Sequence, residues 1–548
     1  MNRLPNRHRT YAVAAALATA TVGLRHGFGE WPTLSTHLRD DAFYEFLFAM
    51  NLAAGRGPVV SGLEWTSGVQ PLWSWLLAVV VTLGAKLPTA AIVLGALCHV
   101  AAAGLFYFGE RRTWIGLVAG LCWLGNPLLL RECQNGQETA LASLLAVVLW
   151  YARRCNAPTF TLAAMLAGLA RADLFALSML LAVVRPRETW TSRLALAILP
   201  FLPWLVWNRI AGGGFLPDSA APMAFLAHAQ FERRLPTLVE VLRQHWWYAR
   251  PVLLGAPFAL SSAFGFALAV ANVARAFCPR SVRLWPLVLV VAAHWLGASD
   301  LLVPFLVAVV LALWPRRSGQ RANRSLLALV LAMVSIVALH WAVRWYPRDY
   351  YAAPLVVAVC IGLASARRLP LLVLLAVLSQ GVHTWRTKLP LEPLQHQSAM
   401  TVAGSVLPIL FGSGVHVGSF NSGLIAWEQL RHGAEGAVVH NLDGVVDARA
   451  FAALQQADLD EHLDALGIDL LVDFPVQWSM AVGELHACGP WFARGDDPGP
   501  RLRRLVRCIA PDATGGARPA AVVEVVARER GGALPALPST SGFRARTT

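Results

Sequence analysis

Two adjacent carboxylates, Asp40 and Asp41, follow the first apolar run of the chain and stand among Ala42, Phe43, Tyr44 and Glu45. A carboxylate that is exposed near a membrane surface can take a proton from a hydroxyl. The same pair can also act locally, with Asp40 or Asp41 capping a helix that runs to about Ala54 and is ended by Gly55. The two roles are compatible. Arg171 stands between two short apolar runs with Asp173 two residues on. An ionisable side chain at such depth is a functional candidate, and an Arg171–Asp173 pair or a snorkelling side chain is the structural alternative. Glu138 opens an apolar run, where a carboxylate also suits the helix dipole. Arg348 precedes a late apolar run beside Asp349 and fits either a phosphate ligand or a plain surface turn. His245-Trp246-Trp247-Tyr248 reads as an interfacial aromatic belt. Gly212-Gly213-Gly214 is a flexible loop, since no Lys-Ser/Thr pair follows and no strand precedes it.

The elements that must position these residues are apolar. Of 548 residues 56% are hydrophobic and 14% charged, against about 25% charged in a soluble globule. Disorder is excluded for most of the chain, and a polytopic membrane protein is the class that fits. The formal charge of +14 does not indicate a nucleic-acid partner. Lysine occurs only at Lys86 and Lys388, and much of the Arg sits in short loops between apolar runs, which is how topology is encoded. There is no Cys-x-x-Cys pair and no zinc-type cluster. Cys98, Cys122, Cys278 and Cys360 read as packing residues, and Cys488 and Cys508 are compatible with a disulfide in an oxidising compartment.

Arg clusters set the orientation. Arg3, Arg7 and Arg9 put the N-terminus in the cytoplasm, and the later pairs agree if 71–84 lies in the interface or re-enters. The expectation is an α-helical polytopic membrane protein of about 13 transmembrane helices with an exported C-terminal α/β domain. Domain bounds are 1–383 for the membrane part, with an exported loop 25–87, then 384–530 for the α/β domain and 531–548 for a Gly/Pro/Ser/Thr-rich tail end. Strands are expected at Val415–Gly418, Ala437–His440, Leu470–Phe474 and Ala521–Val526, and helices at Ser422–Arg431 and Ala448–Leu466.

Three blocks in the loop 25–87 carry a family resemblance. They are Asp40-Asp41-Ala42-Phe43-Tyr44, Asn51-Leu52-Ala53-Ala54-Gly55-Arg56-Gly57 and Thr66-Ser67-Gly68-Val69-Gln70-Pro71-Leu72-Trp73. Together they resemble the first exported loop of the GT-C superfamily of membrane glycosyltransferases, including arabinofuranosyltransferase- and mannosyltransferase-like members. Asn135-Gly136-Gln137-Glu138-Thr139-Ala140-Leu141, Arg171-Ala172-Asp173, Phe215-Leu216-Pro217-Asp218-Ser219 and Arg348-Asp349-Tyr350-Tyr351-Ala352-Ala353-Pro354 are similar to later motifs of that family. So are the tail segments Val417–Gly423, Asn441–Asp447 and Gly467–Asp473. Four positions depart from the pattern: Ser67 replaces Asn, Gln70 replaces a frequent His, Ala172 replaces Pro, and no Lys follows Ser219.

The resemblance implies an inverting glycosyltransferase of a bacterial plasma membrane. Its donor is a polyprenyl-phosphate sugar, and its acceptor is an envelope glycan or lipid on the outer face of the bilayer. Asp40 or Asp41 is the general base, Arg348 and Arg171 hold the donor phosphate, and Glu138, Tyr44, Gln70 and Tyr350 shape the pocket. A divalent metal is left open. The alternative class is a transporter or flippase of a lipid-linked substrate, against which stand the absence of an internal repeat and the clustering of charges near one face.

Overall fold

The computed structural model describes residues 38–60, 64–109, 113–124, 126–185, 188–231, isolated positions between 325 and 339, residue 350, and residues 353–364, 395–411, 416–432, 438–456, 459–468, 470–473, 502–510 and 521–528. In chain order the helices before the tail are α1 Asp40–Ala53, α2 Pro71–Thr82, α3 Leu87–Gly109, α4 Thr113–Leu124, α5 Pro127–Glu132, α6 Thr139–Ala152, α7 Ala157–Ala170, α8 Leu174–Val183, α9 Trp190–Ile198, α10 Leu202–Ala211, α11 Ala220–Phe231 and α12 Ala353–Ala364. The tail adds α13 Gln395–Phe411, β1 His416–Ser419, α14 Ser422–Arg431, β2 Val438–Asn441, α15 Ala448–Gln456, α16 Leu459–Ala465, β3 Leu470–Asp473, β4 Leu502–Ala510 and β5 Ala521–Arg528.

The chain divides into two units. The first comprises 1–28, 89–205 and 235–391, and the second 29–88, 206–234 and 392–548. In the first unit α6 packs against α7 and α8, and α12 packs against α4 and α6. Asn126 and Asn156 cap α5 and α7 by accepting the N–H of Leu129 and Thr159, each followed by a proline that has no N–H to satisfy. A short 3-10 turn at Leu199–Phe201, where Pro200 removes an N–H, joins α9 to α10.

Among the described residues two helices are long and apolar enough to cross a membrane, Leu87–Gly109 and Trp190–Ala211. Helix α2 has 12 residues. It rises about 18 Å, short of the roughly 30 Å hydrocarbon layer. Further apolar runs of the sequence, at 11–24, 251–272, 284–298, 301–314 and 369–383, lie outside the described residues.

The second unit is built on a five-stranded sheet of order β2-β1-β3-β5-β4. β1 pairs in parallel with both β2 and β3, and β5 joins β3 to β4 by antiparallel pairing. Helix α13 lies on α14, where a Cβ on Gly404 would come within 2.6 Å of Glu428 Cβ. Helix α1 also docks on α14, with Trp427 facing Phe43 and Phe46 at centroid distances of 6.1 and 5.6 Å.

The strands and α14 fall within a residue or two of expectation, apart from β4. The single helix expected over 448–466 is two, α15 and α16. The paired carboxylates do not cap α1. Arg39 is the N-cap residue and makes no side-chain cap, and Asp40 and Asp41 occupy the first helical turn. There they suit the positive end of the helix dipole.

Candidate functional site

In the first unit the polar residues gather between the starts of α6 and α8. Gly136, at φ 82°, permits the turn Asn135-Gly136-Gln137 that delivers Glu138 to the start of α6. Asn135 holds the turn by donating to Glu132 and Gln137, and its Oδ1 accepts the Gln137 N–H at 2.9 Å. Arg171 follows α7 with extended backbone, φ −157°, which points the chain away from the helix. Its guanidinium donates to Asp173 from two nitrogens, Nε at 3.2 Å and Nη2 at 2.7 Å, and to Glu138 Oε1 from Nη1 at 3.3 Å. The ring of Tyr350 lies 5.9 Å from the Arg171 Cζ. Arg171, Glu138 and Tyr350 are all buried. Two carboxylates therefore face one guanidinium.

Arg171 and Tyr350 border a small cavity of about 10 Å³, room for a single water. Thr139, Ser143, Arg171 and Tyr350 supply its polar lining, and Ala142, Ala146, Leu174, Ala353 and Val357 its apolar lining. Thr139 Oγ1 is buried there without a hydrogen-bond partner among the described residues. The expected Arg171–Asp173 pair is present, joined by Glu138. Arg348 lies outside the described residues.

The second unit carries Asp40, Asp41, Tyr44 and Gln70. The three loop blocks each have a structural function. Asn51 Nδ2 donates to the carbonyls of Val59 and Val60 at 2.8 and 3.2 Å, and its Oδ1 accepts from Arg56 Nε at 2.8 Å, so Asn51 folds the Gly-Arg-Gly turn back on α1. Thr66 and Ser67 are held by Asp218. Its Oδ2 accepts from Thr66 Oγ1 at 3.0 Å and the Ser67 N–H at 2.7 Å, and its own N–H donates to Ser67 Oγ at 3.1 Å. A Cβ on Gly212 would collide with that pair, meeting Asp218 Oδ1 and Ser67 Oγ at 2.4 Å. The glycine loop thus makes room for the Asp218 contact.

Gln70 is the N-cap residue of α2, and its backbone N–H donates to Glu45 Oε1 at 2.9 Å. Ser74 Oγ donates to Glu45 Oε2. Glu45 therefore links α1 to α2, a role not expected from the sequence.

Asp40 Oδ1 accepts the Leu424 N–H at 2.7 Å, and the Tyr44 hydroxyl accepts the Ser422 N–H at 3.1 Å and Asn441 Nδ2 at 3.3 Å. Asp473, at the end of β3, accepts from Phe420 N–H, Asn421 N–H, Asn421 Nδ2 and Ser419 Oγ at 2.7 to 3.2 Å. Loss of water around its carboxyl pushes Asp40 up to about 8, opposed by the Leu424 bond and reinforced by the charges of Asp41, Asp473 and Asp443. The same loss of water pushes Asp443 up to about 7 and raises the Tyr44 phenol well above its ordinary value. Among the described residues no group of three or more His, Cys, Asp or Glu side chains could hold a metal ion. Ser422, Asn441, Asp443 and Asp473 were legible as tail motifs but not as partners of the first loop, because their contacts span more than 375 residues of chain.

Solved structures of other proteins match the chain along most of its length. It is similar to crystal structures of ArnT from Cupriavidus metallidurans, one bound to undecaprenyl phosphate and one in the apo state. Each has 14% identity and a TM-score of 0.40, covering 97% and 95% of this chain and 100% and 98% of that one. It is also similar to a cryo-EM structure of the arabinofuranosyltransferase AftD from mycobacteria, at 14% identity and a TM-score of 0.35, covering 96% of this chain and 42% of AftD. No family model and no curated protein sequence matches.

Proposed function

We propose that the chain is a membrane glycosyltransferase of the GT-C type that moves a sugar from a polyprenyl-phosphate donor to a hydroxyl of an envelope glycan or lipid. The observation that carries this reading is Arg171, a buried guanidinium beside a small cavity. A guanidinium, a tyrosine ring and two hydroxyl side chains share one cavity with five aliphatic side chains. A phosphate attached to an isoprenoid has both chemistries. The first-loop blocks support the same reaction, since they bring two carboxylates to the first turn of α1.

The residues divide by role. Arg171 is the donor-phosphate ligand, and Arg348 is assigned the same role from its motif. Glu138 sets how tightly Arg171 is held, and Tyr350 flanks it. A carboxylate of the Asp40–Asp41 pair is the base. The acceptor oxygen attacks the anomeric carbon from the face opposite the phosphate. The carbon–oxygen bond to phosphate breaks, and its electron pair leaves with the polyprenyl phosphate. The hydroxyl proton passes to the carboxylate, and the anomeric centre inverts. The membrane part, with about 13 spans, N-terminus inside and tail outside, keeps the lipid-linked donor in the bilayer.

A transfer assay tests the reading. Purified protein receives a panel of radiolabelled polyprenyl-phosphate sugars with bacterial envelope glycan, beside the double variant Asp40→Asn/Asp41→Asn. Label moved by the native protein and lost in the double variant is expected. Transfer retained in the double variant overturns the carboxylate assignment. Saturable flux of a lipid-linked substrate without any transfer product favours a transporter.

A further inference from the structure

Strand β2 lies at one edge of the sheet and pairs in parallel with β1. His440 of β2 stands opposite Gly418 of β1, two residues beyond His416. Residues two apart on a strand share a face, and so do directly opposed residues. His416 and His440 therefore lie on one face of the sheet, diagonal to each other. Gly418 has no side chain, and Leu442, Leu471 and Ile468 come within 2.8 to 3.3 Å of where its Cβ would be. The two imidazoles meet beside this apolar wall. His440 Nε2 and His416 Nδ1 are 3.2 Å apart, with ring centroids at 5.2 Å and ring planes at 34°.

Two ring nitrogens that face each other can share a proton or a metal ion. A tetrahedral ion bound to two imidazoles at its usual bond length holds their nitrogens about 3.3–3.4 Å apart. The observed separation is close to that edge, so an ion would enter with little movement of either ring. His440 is buried and His416 half-buried, which leaves a path from solvent to the facing nitrogens. A third histidine adds a separate observation. His462 of α16 acts on His440 through its charge, and its Nε2 is buried with no hydrogen-bond partner among the described residues. A buried nitrogen left unpaired is costly, which points to a group that supplies the partner.

We propose that His416 and His440 bind a divalent transition-metal ion of the zinc, copper or nickel class, which ties the edge strand β2 to β1. Imidazole suits these ions, whereas magnesium and calcium take oxygen. Among the described residues no third His, Cys, Asp or Glu converges with the pair, so the ion keeps open positions for water. A water on one of them gives His462 Nε2 its partner. The proton between the facing nitrogens moves to the outer nitrogen of its own ring, and both facing nitrogens are then bare for the ion. The site is distinct from the carboxylates of α1: the charges that act on Asp40 are those of Asp41, Asp473 and Asp443, and those on His440 are those of His416 and His462. Asn441, the residue after His440, donates to the Tyr44 hydroxyl at 3.3 Å, so an ion that steadies β2 also steadies the strand end that α1 touches. The pair is 24 residues apart in the chain, which is why no zinc-type spacing shows in the sequence. This goes beyond the glycosyltransferase reading and does not rest on it.

The test uses the full chain in detergent at neutral pH, freed of metal by a chelator. Copper(II) added below one equivalent is expected to give an EPR signal with coupling to two imidazole nitrogens, lost in His416→Ala/His440→Ala. Zinc is expected to raise the thermal midpoint and to slow hydrogen exchange across β1 and β2, and magnesium to do neither. In calorimetric titration His416→Ala and His440→Ala are each expected to weaken zinc binding at least about tenfold. The proposal is overturned if the native protein and the double variant bind zinc alike, since the ion then sits on other side chains. It is overturned equally if zinc leaves exchange in β1 and β2 unchanged, and the pair is then a plain hydrogen bond. Thermal unfolding without metal identifies a variant that fails to fold. The exchange reading on the native chain then decides alone, because it reports the two strands directly.

Discussion

Arg171 is held by two carboxylates. Glu138 and Asp173 both bond its guanidinium, and all three side chains are largely buried. An incoming phosphate would add charge of the same sign as these carboxylates, so the arginine must exchange a partner or share one. The Glu138 bond at 3.3 Å is the longer contact, and the Asp173 pair is bidentate. Glu138→Gln removes a repelling charge while preserving shape. It is expected to tighten binding of a short-chain polyprenyl phosphate by about threefold to tenfold, on the order of 1 kcal/mol. Arg171→Lys loses the planar fork and is expected to weaken it at least about tenfold. Equilibrium binding of the labelled lipid phosphate to the three proteins measures both. Weaker binding in Glu138→Gln would show that Glu138 orients Arg171 rather than competing for it.

Glu45 shows how a side chain can join two elements of the first loop. Its carboxylate receives the Gln70 N–H at the start of α2 and the Ser74 hydroxyl, and it is 5% exposed. Removal leaves the part-buried Gln70 N–H without this acceptor, at a cost of about 1–3 kcal/mol, while the Ser74 hydroxyl keeps the Gln70 carbonyl at 3.1 Å. Glu45→Ala is expected to lower the thermal midpoint and to speed hydrogen exchange at Gln70 and Ser74, whereas Glu45→Gln, which keeps one acceptor oxygen, is milder. Unchanged exchange in Glu45→Ala would remove this linking role. The sequence showed which residues make the loop but not how they join. Gly55, with φ of 74°, was legible as the end of α1 because only backbone conformation is at issue. The strands around β1, β2 and β3 were legible because short β-branched runs alternate with helical stretches. Strand β4 was not. Arg503, Arg504 and Arg507 interrupt its apolar residues, and a register shift between Arg504 and Val506 breaks the alternation. The carboxylates of α1 were legible as chemistry, but their bonds to Leu424 and Ser422 depend on tertiary contact that no local pattern reports.

The second unit assembles residues 29–88, 206–234 and 392–548, so the tail folds with the first loop rather than as an independent appendage. That association has a measurable pH signature. Asp40 is raised to about 8 and Asp443 to about 7 by loss of water on folding. An acid raised in the folded state binds its proton more tightly there than in the unfolded chain. Between its ordinary value near 4 and its folded value, the folded protein holds one more proton, and stability falls as pH rises. His440 acts in the opposite sense, since burial lowers it to about 4, but only below the ordinary histidine value near 6.5. From pH 6.5 to 8 the carboxyls therefore act without opposition from His440. The thermal midpoint of the detergent-solubilised protein is expected to fall across that range, with a slope of at most about 1.4 kcal/mol per pH unit for each extra proton. Asp40→Asn/Asp443→Asn keeps the hydrogen-bond acceptors and removes the titrations, so most of the slope should disappear. Hydrogen exchange at Ser422 and Leu424, the N–H groups that meet α1, should follow the same pH dependence in the native chain and lose it in the double variant. A midpoint that rises from pH 6.5 to 8, or a slope untouched by the double variant, would mean that these carboxyls are hydrated in the folded protein and that α1 is not lodged at the start of α14.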